Sequence, residues 1–107
     1  MTYYLIQVAY TQSSAKAMIA NPQPREDVIR KTCESLGGKL HSFFFAFGDY
    51  DAVVTVELPD NKAAAALALA VGGTGSVSKY VTTVLMTSAE AVEAMKGAKK
   101  VSYTPPK

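Results

Sequence analysis

The stretch FFFAFGDYDAVVTVELPD, residues 43–60, places two apolar runs on either side of a short polar break. Residues 39–47 and 52–58 are rich in aromatic and β-branched side chains, which favour strands. The break between them, Gly48-Asp49-Tyr50-Asp51, consists of residue types that are common in turns. This stretch therefore predicts a β-hairpin, with two strands joined at residues 48–51.

Helices and further strands are predicted on both sides of this hairpin. Apolar periodicity and capping residues indicate a strand over 2–10, a short helix over 15–20 capped by Ser13 or Ser14, a helix over 25–36, a helix over 62–71 capped by Asp60, a strand over 76–86, and a last helix that begins at a Thr87/Glu90 capping box. Gly37-Gly38 and Gly72-Gly73-Thr74-Gly75 are expected to end the helices before them. The order predicts an α+β, ferredoxin-like βαββαβ fold with an extra C-terminal helix, and an antiparallel four-stranded sheet with helices on one face.

Composition narrows the class of protein. The 107 residues suit one domain, which we assign to residues 1–98, with a flexible tail over 99–107. The formal net charge is +2 and no basic run exceeds two residues, which disfavours nucleic acid as a partner. A single Cys and a single His cannot form an intrachain disulfide or a tetrahedral Cys/His metal site. The longest apolar run, 63–71, is shorter than the ~20 residues of a membrane span, so a cytoplasmic protein is expected.

Alternation along the strands assigns side chains to the two faces of the sheet. If Gly48 pairs with Asp51, Phe47 faces Ala52 across the hairpin, Phe45 faces Val54, and Phe43 faces Val56. The helix-facing set is then uniformly apolar, with His41 at its far end: Phe43, Phe45, Phe47, Ala52, Val54, Val56 and Leu58. The opposite set is mixed in character: Ser42, Phe44, Ala46, Val53, Thr55 and Glu57.

An open, half-apolar sheet face predicts a cover, and we expect it to be a second copy of the chain, in a homodimer or a larger homo-oligomer. The mixed polarity of this open face also predicts a small-molecule pocket there, lined by Gln7, Ser42, Phe44, Thr55 and Glu57. A carboxylate desolvated in such a pocket could act as a base or as an anchor for the ligand. The alternative is that Glu57 lies at the sheet edge and pairs with a lysine.

Four other features have both a functional and a structural interpretation. Asp49 and Asp51 could form an acid/base pair, but we favour a structural turn in which Gly48 supplies a positive φ, Asp49 bonds its own backbone and Tyr50 folds back on the sheet end. His41, the sole histidine, could shuttle protons, although a strand start favours exposure. Cys33 is expected to be a buried, inert thiol. The glycine-rich segment 72–75 follows a helix, which is the wrong order for a phosphate loop.

Taken together, these motifs make the chain resemble the GYD domain family, named after a Gly-x-Tyr-Asp turn. The matching residues are Leu36-Gly37-Gly38-Lys39-Leu40, Ser42-Phe43, Gly48-Asp49-Tyr50-Asp51, Val54, Val56-Glu57, Pro59-Asp60 and Ala68-Leu69-Ala70. The loose turn at 72–75 and the tail over 103–107 depart from the family pattern.

The resemblance implies a small, bacterial, cytoplasmic dimeric α/β barrel, for which we expect no cofactor or metal and no nucleic-acid or membrane partner. Relatives by fold include cofactor-free monooxygenases, lactone isomerases, haem-degrading enzymes and stress-response barrels, while the GYD family itself has no settled activity. Three functions stay open: a homo-oligomeric barrel with a small-molecule pocket, a cofactor-free monooxygenase or isomerase that uses Glu57 or His41 as base, and a non-catalytic structural or regulatory subunit.

Overall fold

A computed structural model describes residues 1–107 and contains one sheet with helices on one of its faces. The elements in chain order are β1 (Thr2–Tyr10), α1 (Gln12–Ala20), α2 (Arg25–Ser35), β2 (Lys39–Phe45), β3 (Ala52–Leu58), α3 (Asn61–Gly72), β4 (Val77–Leu85) and α4 (Ser88–Ala98). The strands lie in the order β2-β3-β1-β4, and all neighbours are antiparallel. The predicted α+β ferredoxin-like fold is confirmed.

The core is made by every second residue of the two central strands. Side chains from β1 and β3 pack against α2 and α3, and the buried set is Tyr4, Ile6, Val8, Cys33, Leu40, Ala52, Val54, Val56, Leu58, Ala64 and Leu67. Burial of each Val or Leu side chain contributes about 1.5–3 kcal/mol, so this alternating row dominates the stability of the fold. Tyr4 is the one member of this row with a polar side-chain atom, and its hydroxyl donates a hydrogen bond to Asn61 Oδ1 at 2.6 Å.

The predicted pairing of the hairpin is wrong by two residues. Phe45, rather than Phe47, lies opposite Ala52, and Phe43 lies opposite Val54. The strand ends earlier because residues 46–51 form a longer loop, which is closed by a hydrogen bond from Ala46 N to Asp51 O at 2.8 Å. Phe47 therefore lies in the loop and is fully exposed, instead of facing the helices. A shift of two residues preserves alternation, so Phe43 still packs on the core.

A β-bulge in β2 moves His41 to the open face. Leu40 pairs with Val56 and Ser42 with Thr55, so one extra residue stands on β2 between the two pairs. The extra residue reverses the alternation at this point. Leu40 consequently enters the core, and the His41 ring stacks beside Tyr3, with 5.3 Å between ring centroids. The prediction that His41 ends the helix-facing row is therefore wrong.

The helix ends follow the predicted capping chemistry with one correction. Asp60 Oδ1 accepts a hydrogen bond from Ala63 N at 2.9 Å, and Thr87 and Glu90 form the predicted capping box. α1 begins at Gln12 rather than at residue 15, because Thr11 Oγ1, not a serine, accepts from the free amide of Ser14. α2 ends at Ser35, and Gly37 just beyond its C-cap has φ +79°, the left-handed conformation predicted there.

The last helix stands apart from the rest of the domain. α4 buries none of its residues and makes only sparse contacts with the other elements, and residues 101–107 after it form neither helix nor strand. The radius of gyration is 17.1 Å, whereas a compact domain of this length has about 13 Å. The isolated chain is thus elongated and leaves apolar residues of α4, including Met95, uncovered. None of the four helices combines the length and the apolar character that a membrane span requires.

Gly38 is predicted to be indispensable for the contact between β2 and β3. A Cβ at this position would meet the carbonyl oxygen of Glu57 and would lie 2.6 Å from Leu58 Cδ2. We expect Gly38→Ala to lower the free energy of unfolding by about 2–3 kcal/mol in urea titrations. Gly97→Ala is the matched control, because a Cβ there meets nothing within 4 Å and helix propensity favours alanine. Equal stabilities of the two variants would contradict this prediction.

Candidate functional site

Asp51 anchors the turn between β2 and β3 to the central strand. Its carboxylate Oδ2 accepts a hydrogen bond from Tyr10 N at 2.8 Å, and its own N donates to Val8 O at 2.8 Å. A carboxylate that accepts from a backbone amide makes a strong, charge-assisted bond. Asp51 therefore extends the hydrogen bonding between β1 and β3 to the end of β1, which is a structural role.

The rest of the turn differs in detail from the predicted structure. The only residues with positive φ are Gly37 and Gly75, so the prediction of a left-handed Gly48 is wrong. The carboxylate that bonds the backbone belongs to Asp51 rather than to Asp49, which is exposed. Tyr50 does fold back on the sheet, because Lys79 Nζ of β4 lies 5.4 Å from its ring centroid. The two carboxylates thus have different environments, and the turn ties three strands together.

Removal of the Asp51 carboxylate is expected to destabilise the fold. Asp51→Ala leaves Tyr10 N without its acceptor, and we predict a loss of about 1.5–3 kcal/mol in the free energy of unfolding. Asp49→Ala removes the same group two residues away and should change stability by less than about 0.5 kcal/mol. Chemical denaturation of both variants measures the difference, and a similar loss in both would argue against an anchoring role.

A hydrogen-bonded pair, Glu57 and His41, lies on the open face of the sheet, which is the face opposite the helices. His41 Nε2 is 3.0 Å from Glu57 Oε1, and Tyr3 pairs directly with Glu57 in the neighbouring strand. The two side chains are 32% and 21% exposed, so water reaches both only in part. Glu57 is therefore paired with the histidine and not with a lysine, the alternative considered above.

The structure places all five predicted pocket residues on this open face. The hydroxyls of Ser42 and Thr55 are hydrogen-bonded to each other across β2 and β3. Gln7 pairs with Val53 of β3, and Phe44 pairs with the same valine from the other side. Phe44 is 68% exposed and has no cover in the single chain. The open-face cluster, defined as Gln7, His41, Ser42, Phe44, Thr55 and Glu57, is thus a contiguous surface and not an enclosed pocket.

A cavity of about 230 Å³ lies on the other side of the sheet, between β1, β3, β4 and the helices α2 and α3. Most residues that line it are apolar, among them Ile6, Val54, Leu67 and Val71. The polar groups on its wall are few: Tyr10, Arg25, Thr32, Thr74, Ser76 and Tyr80. An apolar cavity with a small number of polar groups is the usual form of a small-molecule site.

Two tyrosines and a cysteine near this helix-side cavity are desolvated. Burial raises the pKa of Tyr80 to about 12, with a smaller contribution from Cys33, and the Tyr80 hydroxyl is buried without a hydrogen-bond partner. Burial also raises the pKa of Tyr10, although the Arg25 guanidinium opposes the shift. Cys33 is fully buried and burial raises the pKa of its thiol, which agrees with the predicted inert role.

Arg25 is the only charged residue on the cavity wall. It also lines a neighbouring cavity of about 140 Å³, together with Tyr10 and Ser76. Its Nη1 donates to Gln23 Oε1 at 3.2 Å, and it forms no ion pair. Sequence reasoning treated Arg25 only as the first residue of a helix and missed this cavity. The available signal was the small size of Ala52 and Ala70, which both line the space.

Comparisons with known proteins support the fold. The family model described as GYD domain matches residues 4–95. The crystal structure of MtbAldR gives a TM-score of 0.61 at 14% identity, covering 80% of this chain and 53% of that protein. The crystal structure of FFRP-DM1 gives a TM-score of 0.50 at 13% identity, covering 80% of this chain and 100% of that protein. The crystal structure of the hypothetical protein PHS023 from Pyrococcus horikoshii gives a TM-score of 0.51 at 12% identity, covering 81% of this chain and 92% of that protein.

The chain therefore spans about half the length of MtbAldR and nearly all of the two smaller proteins. At such low identities the likeness shows a shared fold and nothing about chemistry. A search among curated proteins finds no match.

Proposed function

The chain belongs to the GYD domain family, and we propose that it functions as a homo-oligomeric domain in which two copies cover each other's open sheet faces and hold a small molecule between them. The observation that carries this proposal is the half-buried, hydrogen-bonded pair of Glu57 and His41 on a largely apolar sheet face that no helix covers. The open-face cluster lines the binding site in this arrangement.

The apolar residues of the open face favour a cover made of protein. Leu5 lies at its centre, between Thr55 of β3 and Thr83 of β4, and Val53 and Val81 lie beside Gln7. A sheet with apolar residues on both faces buries both against other layers in stable folds. α2 and α3 pack on one face only, and a two-fold related copy offers a complementary surface to the other. The uncovered apolar residues of α4 add to what such pairing would bury.

The polar groups of the open-face cluster favour a bound molecule inside this interface. Desolvation strengthens the hydrogen bond between Glu57 and His41, because the effective dielectric constant falls. The same desolvation penalises any polar group that lacks a hydrogen-bond partner. Gln7 carries an amide with both donors and acceptors on this face. A small polar molecule between the sheets would satisfy these groups, whereas a purely apolar cover would leave them unpaired.

Pairing through the open face is tested by a charge at its centre. We expect Leu5→Glu to convert the wild-type oligomer to a monomer in sedimentation equilibrium, because the buried carboxylate would have no partner. Leu69→Glu is the matched control, since Leu69 is 76% exposed on α3, on the other side of the sheet. Circular dichroism confirms that both variants fold. A monomeric wild type, or an oligomer that survives Leu5→Glu, would refute the proposed pairing.

A second candidate is a cofactor-free isomerase that uses Glu57 as base. The geometry of this pair favours it, because a carboxylate 3.0 Å from an imidazole can take a proton from carbon while a ring N–H of the imidazole donates a hydrogen bond to the enolate oxygen. The proton then returns to a different carbon of the same molecule, so no oxidant is needed.

Proton abstraction is measured by deuterium exchange into an enolisable aryl ketone in D₂O, followed by NMR. Glu57→Gln should reduce the enzyme-dependent exchange by about 100-fold or more, which is the usual contribution of a positioned base. Glu90→Gln alters a carboxylate that only caps α4 and should leave exchange unchanged. Exchange equal to that of wild type in Glu57→Gln would exclude Glu57 as the base.

A further inference from the structure

We propose that the helix-side cavity binds an amphipathic monocarboxylate, with its apolar body between α3 and the sheet and its carboxylate at Arg25. This site lies within a single chain and on the opposite side of the sheet from the open-face cluster. The inference therefore goes beyond the pairing proposed above and does not depend on it.

The size and wall of the cavity suit the apolar body. About 230 Å³ is room for about eight groups of the size of a water molecule or a methylene. The inner wall is formed by aliphatic side chains such as Ile6, Val54 and Leu67. Transfer of a hydrocarbon chain from water to such a wall is favourable in proportion to the apolar area removed. A straight chain of about seven carbons fits this space.

The charge at the cavity determines the sign of the charge that the ligand carries. Arg25 is the only charged residue of both adjoining cavities, and no carboxylate of the chain neutralises it. A guanidinium presents paired N–H donors that match the two oxygens of a carboxylate. One cation without a second nearby favours a monoanion over a dianion. Gln23 and Ser76 at the neighbouring cavity add polar groups around the same position.

Tyr80 adds a second recognition element inside the cavity. Its hydroxyl is buried and has no hydrogen-bond partner in the folded chain. A tyrosine hydroxyl is protonated at neutral pH, and burial raises the pKa of Tyr80 further, to about 12, so the hydroxyl can donate. Buried hydroxyls in folded proteins are nearly always paired. A carbonyl oxygen on the body of the ligand would supply the missing acceptor, which favours an oxo-acid over a plain fatty acid.

The charge preference is tested by calorimetric titration of the full-length protein with octanoate, octan-1-ol and octylamine. We expect octanoate to bind about tenfold or more tightly than octan-1-ol, and octylamine to bind most weakly. Arg25→Gln should reduce the affinity for octanoate to that for octan-1-ol. Lys31→Gln removes the same charge from α2 without lining the cavity and should leave the affinity unchanged. Equal affinities of wild type for octanoate and octan-1-ol, or equal losses in the two variants, would overturn the proposal.

The location of the site is tested by filling the cavity from the helix side. Ala70→Phe places a ring in the space from an exposed helical position, and it should abolish binding of octanoate and octan-1-ol alike. Leu69→Phe is the control, because Leu69 does not line the cavity. Thermal unfolding followed by circular dichroism verifies both folds. Retained binding in a folded Ala70→Phe variant would show that the ligand lies elsewhere and would refute the site.

The role of Tyr80 is tested with 7-oxooctanoate. This ligand should bind wild type several-fold more tightly than octanoate does, and Tyr80→Phe should remove that difference while octanoate affinity is retained. A difference that persists in Tyr80→Phe would exclude the hydroxyl as the donor. The Leu5→Glu variant should bind octanoate like wild type, so failure of open-face pairing and failure of this site are separate outcomes.

Discussion

Alternation along β1 and β3 is the constraint on which the rest of the structure depends. Tyr4, Ile6 and Val8 on one strand and Val54 and Val56 on the other point to the helices and are almost completely buried. The residues between them must lie on the open face, because successive side chains of a strand point to opposite faces of the sheet. The open-face cluster and the helix-side cavity are therefore consequences of one row of apolar residues and lie on opposite sides of the same two strands.

The Gly48–Asp51 turn preserves this alternation where the chain reverses. Asp51 bonds the backbone of β1 through both its amide and its carboxylate, so the hairpin is tied to the central strand and not only to itself. A slip of one residue in the pairing would break these bonds and would also turn Val54 and Val56 toward water. The motif that names the family thus specifies the register of the hairpin on β1.

The sequence predicts those features that depend on local chemistry and periodicity. The limits of β3, the Asp60 cap of α3 and the Thr87/Glu90 capping box follow from a few neighbouring residues, and the structure agrees with each. The pairing of Phe45 with Ala52 and the bulge at His41 depend instead on how the loop and β2 meet their neighbours. Alternation alone cannot reveal one extra residue, and so the contact between His41 and Glu57 was not predicted, although Glu57 itself was placed on the correct face.

The helix-side cavity could not be predicted either, because it depends on how closely α3 packs on the sheet and not on local sequence. The sequence of α3 is rich in alanine, and small side chains permit close packing on the sheet, but Ala70 and Ala52 border an unfilled space. Apolar walls that stay open to water forgo the free energy that burying them would contribute, about 25 cal/mol per Å². A larger side chain at position 70 could fill the space, and most natural sequences do fill their cores. An opening kept by small residues, with an arginine on its wall that forms no ion pair and an unpaired hydroxyl inside it, has the composition of a binding site and not of a packing defect.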